Sequence, residues 1–282
     1  MGRRKLSYND VIRFADKVLD YFGLMLGISF QDGREYKMNW REIVLSKSII
    51  EHSEEAMKYF VAHEIGHRAI PNAPETTATK IVIKHIAWNE GIRNADLFLN
   101  VICDPIDDMG NLKGKPWSRD YAKGLKEIIG AVEKKANHPI SDWLVKMGKA
   151  SLAEVQGKPI DFLNDFEHEC YVLLFHDPRD WSERCRDLAP KLKHMFDEKP
   201  ERVDYRGMPF VKPILSGVKK TGKARYFKPR EYTDEDADYA SEKELEKAGK
   251  ALARLYPNGL KVADPRVLKY YRKWRNTFNK QS

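Results

Sequence analysis

The chain has 282 residues, of which 42% are hydrophobic and 33% charged, a composition that excludes disordered and membrane-spanning classes and allows one or two domains with a buried core. An N-terminus without an apolar segment and three irregularly spaced cysteines, Cys103, Cys170 and Cys185, disfavour a secreted, disulfide-linked protein, so we expect a cytoplasmic one. The formal net charge is +8, and residues 201–282 carry 20 Lys and Arg against 11 Asp and Glu, which indicates either a solvated basic surface or one for nucleic acid or another acidic partner.

The first element that the sequence predicts is an amphipathic helix. Apolar residues recur at helical spacing between Ser7 and Leu26, with Ser7 or Asn9 as the N-cap and Gly23 as the stop. Short extended segments follow, separated by turn residues, and we expect them to form a small sheet. These segments are Ile28–Gln31, Tyr36–Met38 and Glu42–Leu45.

A second helix is predicted to begin at Ser53. The Ser53 side chain can cap free amide groups, and Glu54 and Glu55 favour the positive end of the helix dipole. Pro71 ends the helix, because proline has no amide hydrogen and restricts the residue before it. This helix therefore carries the segment HEIGH, residues 63–67.

The HEIGH segment has the spacing of a two-histidine metal site. Residues four apart lie about 40° apart around a helix, so His63 and His67 present two imidazoles to one point. Glu64 lies beside that point, where it can take a proton from metal-bound water, and Gly66 allows another element to approach. Zinc lowers the pKa of such a water and polarises a carbonyl, which are the requirements of amide hydrolysis at neutral pH.

The segment VAHEIGHRA, preceded by the extended IVLSKSII of residues 43–50, resembles the active-site helix and upper strand of zincin metallopeptidases. The resemblance implies that His63 and His67 bind Zn²⁺ and that Glu64 is the general base and acid. It covers residues 1–115.

Two branches of the zincin-like enzymes do not fit. Metzincins have a Gly and a third His after the motif, where this chain has Ile70 and Ala73. Peptide deformylases have an upstream cysteine ligand, whereas the first cysteine here is Cys103. What remains resembles the gluzincin-type branch, including its minimal archaeal forms and the metallopeptidase domains associated with von Willebrand-type domains.

In that branch a further helix supplies an acidic third ligand. The spacing of Asn100, Asp104 and Asp108 is similar to the N-x-x-x-D-x-x-x-N pattern of those domains, which implies Asp104 as the third metal ligand. Asp108, one turn later, is placed to orient a histidine from behind. Asp96 with Asn100 fits a shifted version of the same pattern, so Asp96 and Asp108 remain alternative ligands.

The acidic residues also have purely structural interpretations. Asp104 before Pro105 has the pattern of a helix N-cap, and Asp107 with Asp108 could form a solvated turn. His85 is a further candidate ligand, although its apolar neighbours favour a half-buried helix residue.

Beyond residue 115 the pattern is mostly helical, and the segment Gly217–Pro229 is a predicted linker or binding loop. The spacing of His168, Cys170 and His176 does not bring three ligands to one point of a helix, so no second metal site is expected. Hydrolysis also needs a donor to the oxyanion. Four residues are candidates for it: Tyr121, His138, His168 and Tyr171.

We therefore expect an α+β fold: a zincin-like metallopeptidase domain in residues 1–115, made of a small twisted sheet and the HExxH helix, and a mainly helical C-terminal region in 116–282 that walls or covers the cleft. The expected function is zinc-dependent peptide hydrolysis, with an edge strand near Ile43–Ser48 pairing with an extended substrate. The alternative is a latent or inactive zincin-fold binding or assembly module whose segment 201–282 contacts nucleic acid or an acidic partner.

Overall fold

The computed structural model describes residues 5–32, 37–38, 42–70, 76–134, 138–196 and 235–280. These residues form a mostly helical protein with one small sheet, which is compatible with the expected α+β class. The helices are α1 Tyr8–Phe22, α2 Glu54–Ala69, α3 Thr77–Glu90, α4 Ala95–Leu112, α5 Ser118–Glu133, α6 Pro139–Val155, α7 Asp165–Phe175, α8 Trp181–Leu192, α9 Glu235–Tyr239, α10 Glu242–Leu255 and α11 Pro265–Phe278. Short 3₁₀ turns cover Lys47–Glu51 and Lys193–Phe196.

The N-terminal helix α1 begins and ends where the sequence predicts. Ser7 caps it through a reciprocal pair of hydrogen bonds with Asp10, and Gly23 ends it in the left-handed conformation at φ 66°. The fully buried residues Val11, Ala15 and Val18 lie along one face, which packs against α2.

The sheet has three strands in the order β1–β3–β2, with β1 Gly27–Gln31, β2 Lys37–Met38 and β3 Glu42–Ser46. Strand β1 pairs parallel to β3 and β2 pairs antiparallel to it, so β3 is the central strand. The expectation that Ile43–Ser48 forms an edge strand for an extended substrate is therefore wrong. Ile43 and Val44 have partners on both sides, whereas Leu45 and Ser46 pair with β1 among the described residues.

Helix α2 is positioned by its cap and by packing on three sides. The Ser53 hydroxyl accepts a hydrogen bond from the Ala56 amide, as predicted, and the helix ends at Ala69. It contacts β3, α1 and α5. Because Tyr59, Val61 and Ile65 are fully buried, the segment that carries the histidines lies inside the hydrophobic core.

Helix α4 differs most from the sequence interpretation. The helix runs through Pro105 without ending, so Asp104 is an interior residue and not an N-cap. Asp107 and Asp108 belong to the same helix and are 0% and 5% exposed, so they do not form a solvated turn.

The chain folds into two compact units that alternate along the sequence. Among the described residues, the first unit contains 5–70 and 101–168 and the second contains 76–100, 169–196 and 235–280, apart from the gaps given above. These limits do not coincide with the division expected after residue 115, because α5 and α6 belong to the same unit as α2.

The second unit is formed by packing α3, α8, α10 and α11. Helices α9 to α11 are the described part of the basic segment 201–282, and the expected linker 217–229 lies outside the described residues. No helix in the described ranges combines the length and the apolar character needed to cross a bilayer.

Candidate metal centre

The two histidines of the motif project from neighbouring turns of α2. Their rings lie 4.8 Å apart at an interplanar angle of 79°. The His63 side chain is 5% exposed and that of His67 is 17% exposed, so the pair lies at the edge of the core. This arrangement places two imidazoles on one face of the helix, as the four-residue spacing predicts.

Helix α4 supplies the carboxylate that faces both histidines. Asp104 Oδ1 lies 3.8 Å from His63 Nε2 and 3.7 Å from His67 Nε2. Among the described residues these three side chains form one possible metal-binding group, with all ligand atoms within 4.8 Å of one another. The structure therefore brings together the three residues expected as ligands.

Each histidine is held from behind by its own carboxylate. Asp108 Oδ1 lies 3.2 Å from His63 Nδ1, and Asp107 pairs with His67 Nδ1. In a neutral imidazole, a carboxylate at Nδ1 favours the tautomer with hydrogen on that nitrogen, which leaves the Nε2 lone pair for a metal ion. Both Nε2 atoms lie on the side of Asp104.

Glycines allow the close approach of the helices that carry these residues. A Cβ on Gly66 would lie 2.7 Å from Asn111 Nδ2, and one on Gly110 would lie 2.6 Å from the Ile70 side chain. Asn111 Nδ2 donates to the carbonyl oxygens of Ala62 and Asp107, at 3.3 and 3.1 Å. Asn111 therefore connects α2 to α4 beside the histidines.

Acidic side chains outnumber basic ones in this cluster. Although burial opposes protonation of His63, the hydrogen bond to Asp108 and the neighbouring carboxylates raise the pKa of its imidazole to about 9. Burial raises the pKa of the Asp104 carboxyl to about 7, in spite of both histidines. Three buried carboxylates thus face two imidazoles, and a divalent cation would offset most of their negative charge.

The donor set fits Zn²⁺. In a tetrahedral site with Zn–N and Zn–O bonds of about 2.0–2.2 Å, neighbouring ligand atoms are roughly 3.3–3.6 Å apart. The two distances from Asp104 Oδ1 to the histidine nitrogens, 3.8 and 3.7 Å, exceed this range slightly, and the three ligand atoms all lie within 4.8 Å of one another.

The alternative ligands lie elsewhere or have other contacts. The Asp96 side chain is 63% exposed and pairs with Lys84 in the second unit. His85, in the same unit, is fully buried; its Nδ1 bonds to the Ile81 carbonyl and its Nε2 accepts the amide hydrogen of Asp264. Asp108 contacts Nδ1 of His63 and not Nε2. A carboxylate at Nδ1 has the position expected of an orienting residue rather than of a metal ligand.

The candidates for an oxyanion donor are separated by the structure. Tyr121 is buried and its hydroxyl reaches His63 and Asp108. His138 caps α6 by accepting from the Ile140 amide. His168 is exposed on α7, and the Tyr171 ring packs on Phe175 and His176. Of the four, Tyr121 has contacts with the histidine–aspartate cluster.

Asp107 and Asn111 are the site residues that the sequence interpretation missed. They share one face of α4 with Asp104 and Asp108, since positions 104, 107, 108 and 111 follow the three- and four-residue helical spacing. This spacing was the signal that could have identified them. The adjacent acids also have the composition of a polar turn, which made the sequence ambiguous here.

No protein-family model matches the chain, and neither a curated protein nor a solved structure is significantly similar to it. The resemblance to gluzincin-type zincins therefore rests on the motif residues, and the functional argument rests on the geometry of the site.

Proposed function

We propose that this protein is a zinc-dependent metallopeptidase whose metal is held by His63, His67 and Asp104. One observation carries the proposal: two histidine nitrogens converge on a single carboxylate oxygen, while the opposite ring nitrogens are each paired with a buried acid. A histidine pair that only stabilised the helix would not need orienting groups on both rings.

When bound at these three side chains, Zn²⁺ would polarise a substrate carbonyl and lower the pKa of a water in the fourth position. His63 and His67 would hold the metal through Nε2, while Asp108 and Asp107 hold the two rings through Nδ1. The half-buried Glu64 lies on α2 about 60° from His67 around the helix axis. The Glu64 carboxylate accepts a proton from water and returns it to the nitrogen of the leaving amine.

The test separates metal binding from hydrolysis. Purified protein should hold one zinc per chain, measured by elemental analysis, and should cleave a peptide library read by mass spectrometry. Glu64→Gln should keep the zinc and lose at least about 100-fold in cleavage rate, because the proton acceptor is removed. Glu55→Gln, an identical change at a half-exposed position on the same helix, is the matched control and should cleave normally.

Undiminished cleavage in Glu64→Gln would contradict the mechanism. Zinc binding without cleavage by the wild-type chain would favour the alternative, a latent or inactive zincin-fold module. Absence of zinc in the wild-type chain would contradict the metal site itself.

A further inference from the structure

Tyr121, Asp108 and the proposed zinc ligand His63 form a triangle of hydrogen-bonding groups. The Tyr121 hydroxyl oxygen lies 2.7 Å from Asp108 Oδ1 and 3.3 Å from His63 Nδ1, and Asp108 Oδ1 lies 3.2 Å from the same His63 nitrogen. Tyr121 and His63 are both buried, so the three groups are shielded from water. A buried polar group in this position has no solvent to replace a lost partner.

The hydrogen positions in this triangle follow from the chemistry of its members. The Tyr121 hydroxyl donates its single hydrogen to Asp108 Oδ1. The hydrogen on His63 Nδ1 is then shared between Asp108 Oδ1 and the Tyr121 oxygen. The arrangement requires hydrogen on Nδ1, so in the neutral imidazole Nε2, which faces Asp104, carries no hydrogen.

The position of Tyr121 depends on a close contact between α5 and α2. Gly124 lies one turn after Tyr121, and a Cβ there would stand 2.3 Å from the Glu55 carbonyl oxygen and 2.7 Å from Tyr59 Cβ. The absence of a side chain at 124 lets α5 reach α2. The Tyr59 ring in turn stacks on His63 at 5.5 Å and an interplanar angle of 27°, so one face of the imidazole is also fixed.

We propose that Tyr121 is a positioning residue of the metal site: by donating to Asp108 it fixes the carboxylate that orients His63, and so sets the direction of the His63 Nε2 lone pair. This inference rests on the proposed metal site and adds to it a determinant of metal affinity. The other histidine, His67, pairs with Asp107, and that carboxylate lies on the helix that Asn111 ties to α2. We therefore expect Tyr121 to affect the orientation of His63 and not that of His67.

The experiment measures the zinc dissociation constant of the full chain by competition with a chromophoric chelator. Tyr121→Phe removes one oxygen and should weaken zinc binding about 10-fold or more, the size typical of lost orienting groups. The same variant loaded with Co²⁺ should show an altered visible absorption band, because the His63 ring loses one of its two partners at Nδ1 and changes its orientation. Neither readout changes if Tyr121 only fills space.

Tyr271→Phe is the matched control. Tyr271 is also buried, and its hydroxyl donates a 2.7 Å hydrogen bond to the Tyr256 carbonyl in the second unit. The control therefore loses a comparable bond away from the histidines and should bind zinc like the wild type. If the two variants bind zinc equally well, the inference is wrong.

A double-mutant cycle tests whether Tyr121 acts through Asp108. In an Asp108→Ala background, Tyr121→Phe should change the zinc dissociation constant by a smaller factor than in the wild-type background, because only its direct contact with His63 remains. Effects that multiply in the double variant would contradict this route. Should Tyr121→Phe fail to fold, Asp108→Asn serves instead, since it keeps the size of the side chain and should weaken zinc binding about 10-fold. Unchanged affinity in Asp108→Asn would also overturn the inference.

The outcomes distinguish this inference from the proposed function. A wild-type chain that binds no zinc contradicts both. A wild-type chain that binds zinc, with Tyr121→Phe binding equally tightly, contradicts only the role of Tyr121.

Discussion

Gly66 and Asn111 are in direct contact: a Cβ on Gly66 would lie 2.7 Å from Asn111 Nδ2. The side-chain nitrogen of Asn111 donates to the carbonyl oxygens of Ala62 and Asp107, and its side-chain oxygen accepts from Trp117 Nε1 at 3.0 Å. Gly66 is thus the point within the HEIGH segment at which α4, which carries Asp104, contacts α2, which carries the two histidines.

Gly66→Ala should therefore separate these helices. We expect a loss of about 1–3 kcal/mol in the free energy of unfolding, the usual cost of overpacking a core. Zinc binding should weaken about 10-fold, because Asp104 and both orienting carboxylates move with α4. Denaturant unfolding and chelator competition measure the two effects.

Gly130→Ala provides the control for that substitution. Gly130 lies in α5, and a Cβ there meets no atom within 4 Å. Alanine should stabilise this helix by up to about 1 kcal/mol and leave zinc affinity unchanged. If Gly66→Ala proves as stable as Gly130→Ala and binds zinc as tightly as the wild type, the close contact has no role in the site.

The third ligand can be identified by comparing two aspartates of α4. Asp104→Asn replaces a carboxylate by a weak neutral donor and should weaken zinc binding by more than about 100-fold, a larger loss than an orienting residue gives. Asp96→Asn changes the alternative ligand, whose carboxylate instead pairs with Lys84, and should bind zinc normally. The reverse ranking of the two dissociation constants would assign the ligand to Asp96.

The two histidines could be predicted as candidate ligands from local spacing, whereas Asp104 was expected from the resemblance to the gluzincin-type pattern. A four-residue interval fixes two imidazoles on one helix face, and the caps at Ser53 and Ser7 depend on side chains next to the amides that they satisfy. The contacts of Asp107, Asn111 and Tyr121 depend on the distance between helices, which no local pattern encodes.

The order of the strands in the sheet is likewise not encoded by local sequence patterns. Residues 42–45 were predicted as a short strand that follows turn residues, and β3 confirms it. Its place in the middle of the sheet depends on pairing with β1 and β2, and pairing partners are selected by tertiary packing rather than by the strand's own sequence. The expected substrate edge was wrong for this reason.

His85 makes the stability of the fold depend on pH. Burial lowers the pKa of its imidazole to about 4, because the charged ring would be desolvated, although the Ile81 carbonyl at Nδ1 favours protonation. The unfolded chain binds this proton near pH 6.5, so the free energy of unfolding should fall as the pH drops from about 6.5 to about 4. The loss from this residue should be on the order of 3 kcal/mol.

Urea unfolding of the wild type and of His85→Gln at pH 7 and pH 4.5 isolates that contribution. Other titrating groups affect both proteins alike, so the difference between the two pH values should be smaller in His85→Gln. Equal pH dependence in the two proteins would mean that His85 is not held neutral by the fold.

X-ray absorption at the zinc edge of the purified protein tests the central claim most directly, because it reports the donor atoms around the metal. The site of His63, His67 and Asp104 predicts nitrogen and oxygen donors at about 2.0–2.2 Å, with the scattering pattern of two imidazoles. Cys103 precedes Asp104 in the chain, so a wrong ligand assignment has a clear signature. A sulfur donor at about 2.3 Å, or a protein that retains no zinc, would contradict the account.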